Sequence, residues 1–306
     1  MLVLDCDVPW LKSVFKPTPD AVVFHIDCDP IKVNMSLFHI DTELSCQSNS
    51  KVALQQINTF LTDSKGFERL QSLREAVAER TKSVKECHDS YASGTLAKEG
   101  VPEKDVVITP HYALSRLREH LNDDCIILSE GISNYRPIVD VLGVSIASKP
   151  GSYFTSGATA LGWHGGAAIG AKLAQPSKTV ISVTGDGSFL FSIPSTVHWM
   201  ARKYEAPFLT IILNNRGWKS PMLSAMAVHK DGYSSKVTSD QLNVTFDPPV
   251  DHAQVAVAAG AGFGVTVKKS SEIDAALKKA LETVKGGSAA VVDIWLPKFE
   301  VGDRVG

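Results

Sequence analysis

Thr179-Val180-Ile181-Ser182-Val183-Thr184-Gly185-Asp186-Gly187 runs from an apolar β pattern straight into a glycine-flanked aspartate. Phe208-Leu209-Thr210-Ile211-Ile212-Leu213 does the same and ends on Asn214-Asn215, with 26 residues between Gly187 and Asn214. Short continuous runs of β-branched and aliphatic residues read as strands buried on both faces, the mark of a parallel sheet. Between them, Phe189 to Tyr204 carries the apolar spacing of a helix. An acid and an amide thus stand at the carboxyl ends of two strands, where open α/β sheets bind ligands. A hard divalent cation such as Mg²⁺ needs oxygen donors of this kind. The amides of Gly187, Ser188 and Phe189, opening the following helix, suit a phosphate. The plainer alternative is a Gly-Asp-Gly turn and an unrelated asparagine pair capping a loop.

Gly185-Asp186-Gly187, the gap and Asn214-Asn215 together resemble the diphosphate-binding signature of thiamin diphosphate-dependent enzymes of the acetolactate synthase and benzoylformate decarboxylase type. The resemblance implies that Asp186 and Asn215 bind Mg²⁺ through side-chain oxygens and Gly217 through its carbonyl. It also implies that Gly185, Gly187, Ser188 and Phe189 border the cofactor diphosphate. Pro150-Gly151-Ser152-Tyr153-Phe154, Leu161-Gly162-Trp163 and Ala167 to Ala174 extend the similarity. By family position Leu161 would wedge the cofactor into its bent form, although a core leucine is the alternative. Gly and Ala crowding from Gly157 to Ala171 fits close backbone approach to a ligand or a neighbouring helix. His164-Gly165-Gly166 departs from the family pattern, and His164 reads as either a substrate-facing or a structural residue.

Cys125 to Ser129 reads as another buried strand running into Glu130, Ser133 and Asn134. The family places a loop here against the aminopyrimidine end of the cofactor, so these three are candidate binding residues; a solvated loop is the alternative. Arg216-Gly217-Trp218-Lys219 should border the diphosphate and the substrate entrance. Ser224 to Gln241, polar and irregular, reads as a loop or lid.

Around this centre the chain of 306 residues reads as α/β, a doubly wound parallel sheet preceded by a partial Rossmann-like central domain. Residues 1–62 form the partial domain, with strand-like runs at Met1–Asp5 and Ala21–Asp27 and a helix from Val52 to Leu61. Its His25-Ile26-Asp27-Cys28-Asp29-Pro30 turn is similar to one in the central domain of the same family. Residues 63–105 read as a charged linker helix and loop, and 106–306 as the diphosphate- and Mg²⁺-binding domain. Later elements are expected at His111–Leu121, Ala253–Ala259, Ile273–Val284 and Ala289–Trp295.

A net charge of −2 and a pI near 6.5 give no electrostatic reason to expect nucleic acid or an anionic membrane as partner. Five cysteines without close pairing or metal-ligand spacing argue for reduced thiols and a cytoplasmic setting. No apolar run reaches a membrane span, and with no basic stretch ahead of an apolar core at the N-terminus and a C-terminus closing on Arg304-Val305-Gly306, no secretion signal is expected. The family's pyrimidine-binding domain has no counterpart here, and neither has its catalytic glutamate, so the catalytic residues are unknown. The resemblance implies a decarboxylase or carboligase acting on a 2-oxo acid, a chain or domain supplying the pyrimidine half, and a homo-oligomer. No counterpart of the Arg-Phe-Asp-Asp-Arg-like stretch of flavin-containing relatives is found, which counts against FAD. The alternative from another class is a non-catalytic cofactor-binding or regulatory homologue. A nucleotide-binding domain lacks support, since no Gly-x-x-x-x-Gly-Lys-Ser/Thr or Gly-x-Gly-x-x-Gly follows a strand.

Overall fold

Four apolar runs supply the inner strands of a six-stranded parallel sheet, and burial on both faces explains their near-absence of polar alternation. These are β4 (Cys125–Glu130), β6 (Thr179–Gly185), β7 (Leu209–Asn214) and β9 (Ala290–Trp295). With β5 (Tyr153–Thr155) and β8 (Phe263–Val267) at the edges, the order is β5-β4-β6-β7-β9-β8. The computed structural model describes all residues except 12–15, 34, 36–39, 144–148, 158–159 and 300–306. The expectations for positions 158 and 159 and for Arg304-Val305-Gly306 therefore lie outside the described residues.

The chain divides into two compact units, residues 1–89 and 90–306. In the first, β1 (Leu2–Leu4), β2 (Phe24–Asp27) and β3 (Leu44–Gln47) form a parallel sheet in that order, followed by a helix Ser50–Thr62. Asn49 caps that helix by accepting from the amides of Lys51 and Val52. The sequence predicts two strands here. β3 escapes it because all four of its residues are exposed, so no apolar pattern announces it. The charged stretch forms two helices, Ser64–Ser72 and Arg74–Lys98; the longer buries only Thr95, as expected of a helix polar on most sides.

In the second unit, helices cover both sheet faces. Ile273–Lys285 buries Ile273, Ala276, Leu277, Ala280, Leu281 and Val284, a 3–4 residue spacing that lays one stripe on the sheet. Pro110–Glu119 starts on Pro110 with Thr109 accepting from the Tyr112 amide, a standard N-terminal stop. The helix expected from Phe189 to Tyr204 is instead two, Asp186–Phe191 and Pro194–Lys203. Ile193, with φ +56°, turns the chain between them, and Pro194 opens the second. The loop expected from Ser224 to Gln241 also differs: a helix Lys219–Val228 runs into it and a 3₁₀ turn occupies Tyr233–Ser235. No helix among the described residues is long and apolar enough to cross a membrane.

Chain direction across the sheet fixes where a ligand fits. From β4 the chain steps outward to β5, while β6 lies on the other side of β4. Loops leaving β4 and β6 therefore part from one another and open a crevice at their carboxyl ends. Pairing of Glu130 with Thr184, Gly185 with Leu213 and Asn214 with Trp295 brings these ends to one level.

Candidate metal and diphosphate site

A cavity of about 260 Å³ opens at that crevice. Its walls come from three strand ends: Ile132 to Asn134 after β4, Gly185 to Ser188 after β6, and Asn215 with Gly217 to Pro221 after β7. Leu161 and Ser224 complete it. Of the residues expected from sequence, Ser133, Asn134, Leu161, Gly185, Asp186, Gly187, Ser188, Asn215 and Gly217 all line this one space. Phe189 and Glu130 do not.

Asp186 is held by the backbone. Its Oδ1 accepts from the Gly187 amide at 3.0 Å and its Oδ2 from the Gly217 amide at 2.9 Å, tying the β6 and β7 loops together. Burial lifts its pKa to about 6, against the lowering effect of those amides. A cation in the cavity would reverse that balance by favouring the charged form. The Gly187 amide, expected to face a phosphate, is thus turned to Asp186.

Asn215 is buried, and its Oδ1 has no hydrogen-bond partner. An unsatisfied buried carboxamide oxygen costs free energy unless something fills its lone pairs. Asp186, Asn215 and Gly217 line the same cavity and carry a carboxylate, a carboxamide oxygen and a backbone carbonyl, oxygen donors of the kind that suit Mg²⁺, although the Gly217 carbonyl also accepts from the Lys219 amide at 3.1 Å. Gly217 can only be glycine, because a Cβ there would lie 2.3 Å from the Val244 carbonyl oxygen. That crowding arises because residues 216–218 run beside 244–246, with hydrogen bonds from Trp218 N to Val244 O and from Phe246 N to Arg216 O.

Trp218 covers Gly187: a Cβ on that glycine would meet the indole at 2.3 Å. The ring stands edge-on to Phe191 and Phe246, with centroids 5.5 and 5.0 Å away, giving the cavity an apolar side. Lys219 lines the wall, whereas the Arg216 guanidinium turns away to the Leu296 carbonyl and the face of Trp295.

Glu130 is placed behind the wall. Its two oxygens accept from the Gly162 amide at 2.6 Å and the His164 amide at 2.7 Å, so it caps the helix Trp163–Ala174 and anchors the residue after Leu161. Burial raises its pKa, and these amides oppose the rise. Phe189 belongs to the core, packed against three buried histidines, His164, His198 and His252. His164 is fully buried and its Nδ1 pairs with the Ser182 hydroxyl at 2.9 Å, a structural placement away from the cavity. Burial drives its pKa down to about 3.

One participant escapes motif reading altogether. Asp293 in β9 is fully buried and accepts from Asn214 Nδ2 at 2.9 Å. Burial pushes its pKa up to about 7, offset by the Asn214 hydrogen bond. The available signal is a lone acid inside the otherwise apolar run Ala290–Trp295, since carboxylates are rarely buried without a task.

Comparison with known proteins identifies the family. The family described as thiamine pyrophosphate enzyme, C-terminal TPP binding domain, matches residues 141–294, just over half of the chain. The large subunit of acetolactate synthase isozyme 3 from Escherichia coli (strain K12) is 24% identical over 289 residues, covering 92% of this chain and 45% of that protein. Benzoylformate decarboxylase from Pseudomonas aeruginosa is 48% identical over 67 residues, or 22% of this chain and 12% of that one. Among solved structures, benzoylformate decarboxylase from Polynucleobacter necessarius superposes with a TM-score of 0.67 at 17% identity, covering 97% of this chain and 49% of its own. The thiamine diphosphate-dependent 4-hydroxybenzoylformate decarboxylase of Rhodococcus jostii RHA1 gives 0.65 at 17%, with the same coverage. The chain thus spans about half the length of the relatives it matches along most of its own length. With a family match over half its residues and a parallel α/β fold shared with these structures, the chain belongs to the thiamine pyrophosphate enzyme family, through its C-terminal TPP-binding domain.

Proposed function

We propose that this chain binds thiamin diphosphate through Mg²⁺ and forms the diphosphate half of a 2-oxo acid decarboxylase or carboligase, of the acetolactate synthase or benzoylformate decarboxylase type. The observation that carries the reading is that Asp186, Asn215 and Gly217 line one cavity, with Asn215 Oδ1 buried and unpartnered. Asp186 and Asn215 would give side-chain oxygens to the metal and Gly217 its carbonyl. Ser188 and Lys219 line the same space and would suit the diphosphate, and Leu161, which also lines it, would stand against the cofactor body. When bound, the cofactor supplies the carbanion chemistry of C–C bond cleavage and formation; the protein orients it and excludes water. The apolar side of the cavity, formed by Trp218 and its aromatic neighbours, serves that exclusion.

Positioned acid-base groups contribute about 10²–10⁴-fold to such reactions, and the residues around this cavity include no matched counterpart of the family glutamate. The reading therefore assigns the acid-base group to a pyrimidine-binding chain or domain. The test is CO₂ release from a panel of 2-oxo acids, pyruvate and benzoylformate included, by the chain alone and with a partner chain carrying that half. Turnover that needs Mg²⁺, cofactor and the partner supports the reading. Cofactor binding without turnover in any combination favours the non-catalytic homologue.

A further inference from the structure

We propose that Asp293 is a positioning residue that presents Asn215 to the metal by fixing the orientation of Asn214; this rests on the cofactor reading above. Parallel pairing places Ile212 beside Asp293 and Asn214 beside Trp295. Side chains alternate along a strand, so Asn214 and Asp293 emerge on the same face one step apart, close enough for the 2.9 Å hydrogen bond from Asn214 Nδ2 to Asp293 Oδ1.

A carboxamide has a donor end and an acceptor end, and either can face either way unless a neighbour decides. Here the neighbour is a carboxylate that accepts, so Nδ2 faces Asp293. The Oδ1 end is then left to accept from the Arg216 amide at 2.9 Å. That second bond holds Arg216 at φ +61°, a conformation that non-glycine residues rarely adopt and that persists only where surroundings impose it. Leu296, just after β9, adds two more holds on the same corner: Leu296 N donates to Asn214 O at 2.9 Å, and the Arg216 guanidinium donates to Leu296 O at 3.0 Å.

Asn215 lies between the two residues so fixed. Its own Oδ1 makes no hydrogen bond, so its direction comes from the backbone on either side of it. The paired asparagines thereby divide the work: Asn214 is locked to the sheet by Asp293, and Asn215 is left for the ligand. Asp293 itself lies behind the cavity wall and acts through Asn214.

The test is calorimetric titration of Mg²⁺ into the full chain at fixed, saturating thiamin diphosphate. Four proteins are compared: unaltered, Asp293→Val, Asn214→Asp, and the exchange Asn214→Asp/Asp293→Asn. Loss of a direct outer partner of a metal ligand typically costs about 10–100-fold in metal affinity, and Asp293→Val, one residue further out through Asn214, is expected to lower Mg²⁺ affinity by about 10-fold, the low end of that range. Cofactor stoichiometry should return at saturating Mg²⁺, which a damaged fold would not allow. Asn214→Asp sets two carboxylates against each other and should also weaken Mg²⁺. The exchange restores a donor facing an acceptor and should recover most of the loss. Should Asp293→Val fail to fold, the single and exchanged variants decide. Unchanged Mg²⁺ affinity in the single variants, or an exchange that recovers nothing, overturns the inference alone. Absence of Mg²⁺-dependent binding in the unaltered chain overturns the cofactor reading and this inference together.

Discussion

At the scale of single residues, two positions show how little freedom the site allows. Gly217 has backbone on the side where a Cβ would go, 2.3 Å from the Val244 oxygen, so neighbouring rotamers cannot relieve Gly217→Ala. Overpacking of this kind costs about 1–3 kcal/mol, and a drop in thermal stability with weaker Mg²⁺ binding is expected. Glu130 is buried and accepts two amides through one carboxylate. Glu130→Gln would set an NH₂ donor against a backbone donor, leaving one of them unsatisfied. A loss of about 1–3 kcal/mol is expected in denaturant unfolding, seen as a lower midpoint at unchanged slope. That Asp186, Asn215 and Gly217 line one cavity was legible because an acid, an amide and a glycine at strand ends stand out in sequence. The role of Glu130 was not, since a polar residue after a strand reads alike whether it faces ligand or a helix end. Phe189, next to the motif, points into the core, which spacing along a single turn does not reveal.

At the scale of elements, strands carried by an apolar run were readable, β1 and β2 included although each has exposed residues, and strands without such a run were not. β6 and β7 are continuous apolar runs, whereas β3 is wholly exposed and β5 is three residues long. The break at Ile193 escaped because apolar spacing continues across it on both sides. The helices Trp163–Ala174, Pro194–Lys203 and His252–Ala258 share a less visible feature, one buried histidine each packed on Phe189. Burial depresses His164 to about 3 and His198 and His252 to about 4, from an ordinary 6.5. In that interval the unfolded chain takes up protons that the folded chain refuses. Their contribution is therefore complete above about pH 6.5 and is lost as pH falls through that window. Asp186 and Asp293 run the other way: raised to about 6 and 7, they favour the fold below the usual 3.8, and that contribution is lost as pH rises through 6 and 7. Removing one histidine separates the two effects. Neither ring nitrogen of His198 hydrogen-bonds to the protein, so His198→Leu should be neutral or stabilising at pH 7.5. Stability measured against pH should then fall less steeply between pH 6.5 and 4; an unchanged slope would show that His198 does not titrate with unfolding.

At the scale of the whole molecule, the chain covers 45% of the Escherichia coli acetolactate synthase large subunit and 49% of the superposed decarboxylase. In the proposed function, this cavity would supply metal ligands, a diphosphate wall and an apolar side, and proton transfer would fall to another chain or domain. Decarboxylation by the isolated chain should accordingly run at least about 10²-fold below that of a complex with a pyrimidine-binding half, read as cofactor-dependent CO₂ release. Equal rates would mean that a residue of this chain moves the proton. The division into residues 1–89 and 90–306 keeps every cavity residue within the second unit.

The claim on which all of this depends is a Mg²⁺-held diphosphate at Asp186 and Asn215. Calorimetric titration of the chain with thiamin diphosphate, with and without Mg²⁺ and beside Asp186→Ala, tests it directly. Binding is expected only when Mg²⁺ is present, and is abolished by Asp186→Ala in a variant that still unfolds cooperatively on heating. Binding that ignores Mg²⁺, binding that survives Asp186→Ala, or none at all in the folded unaltered chain would contradict it.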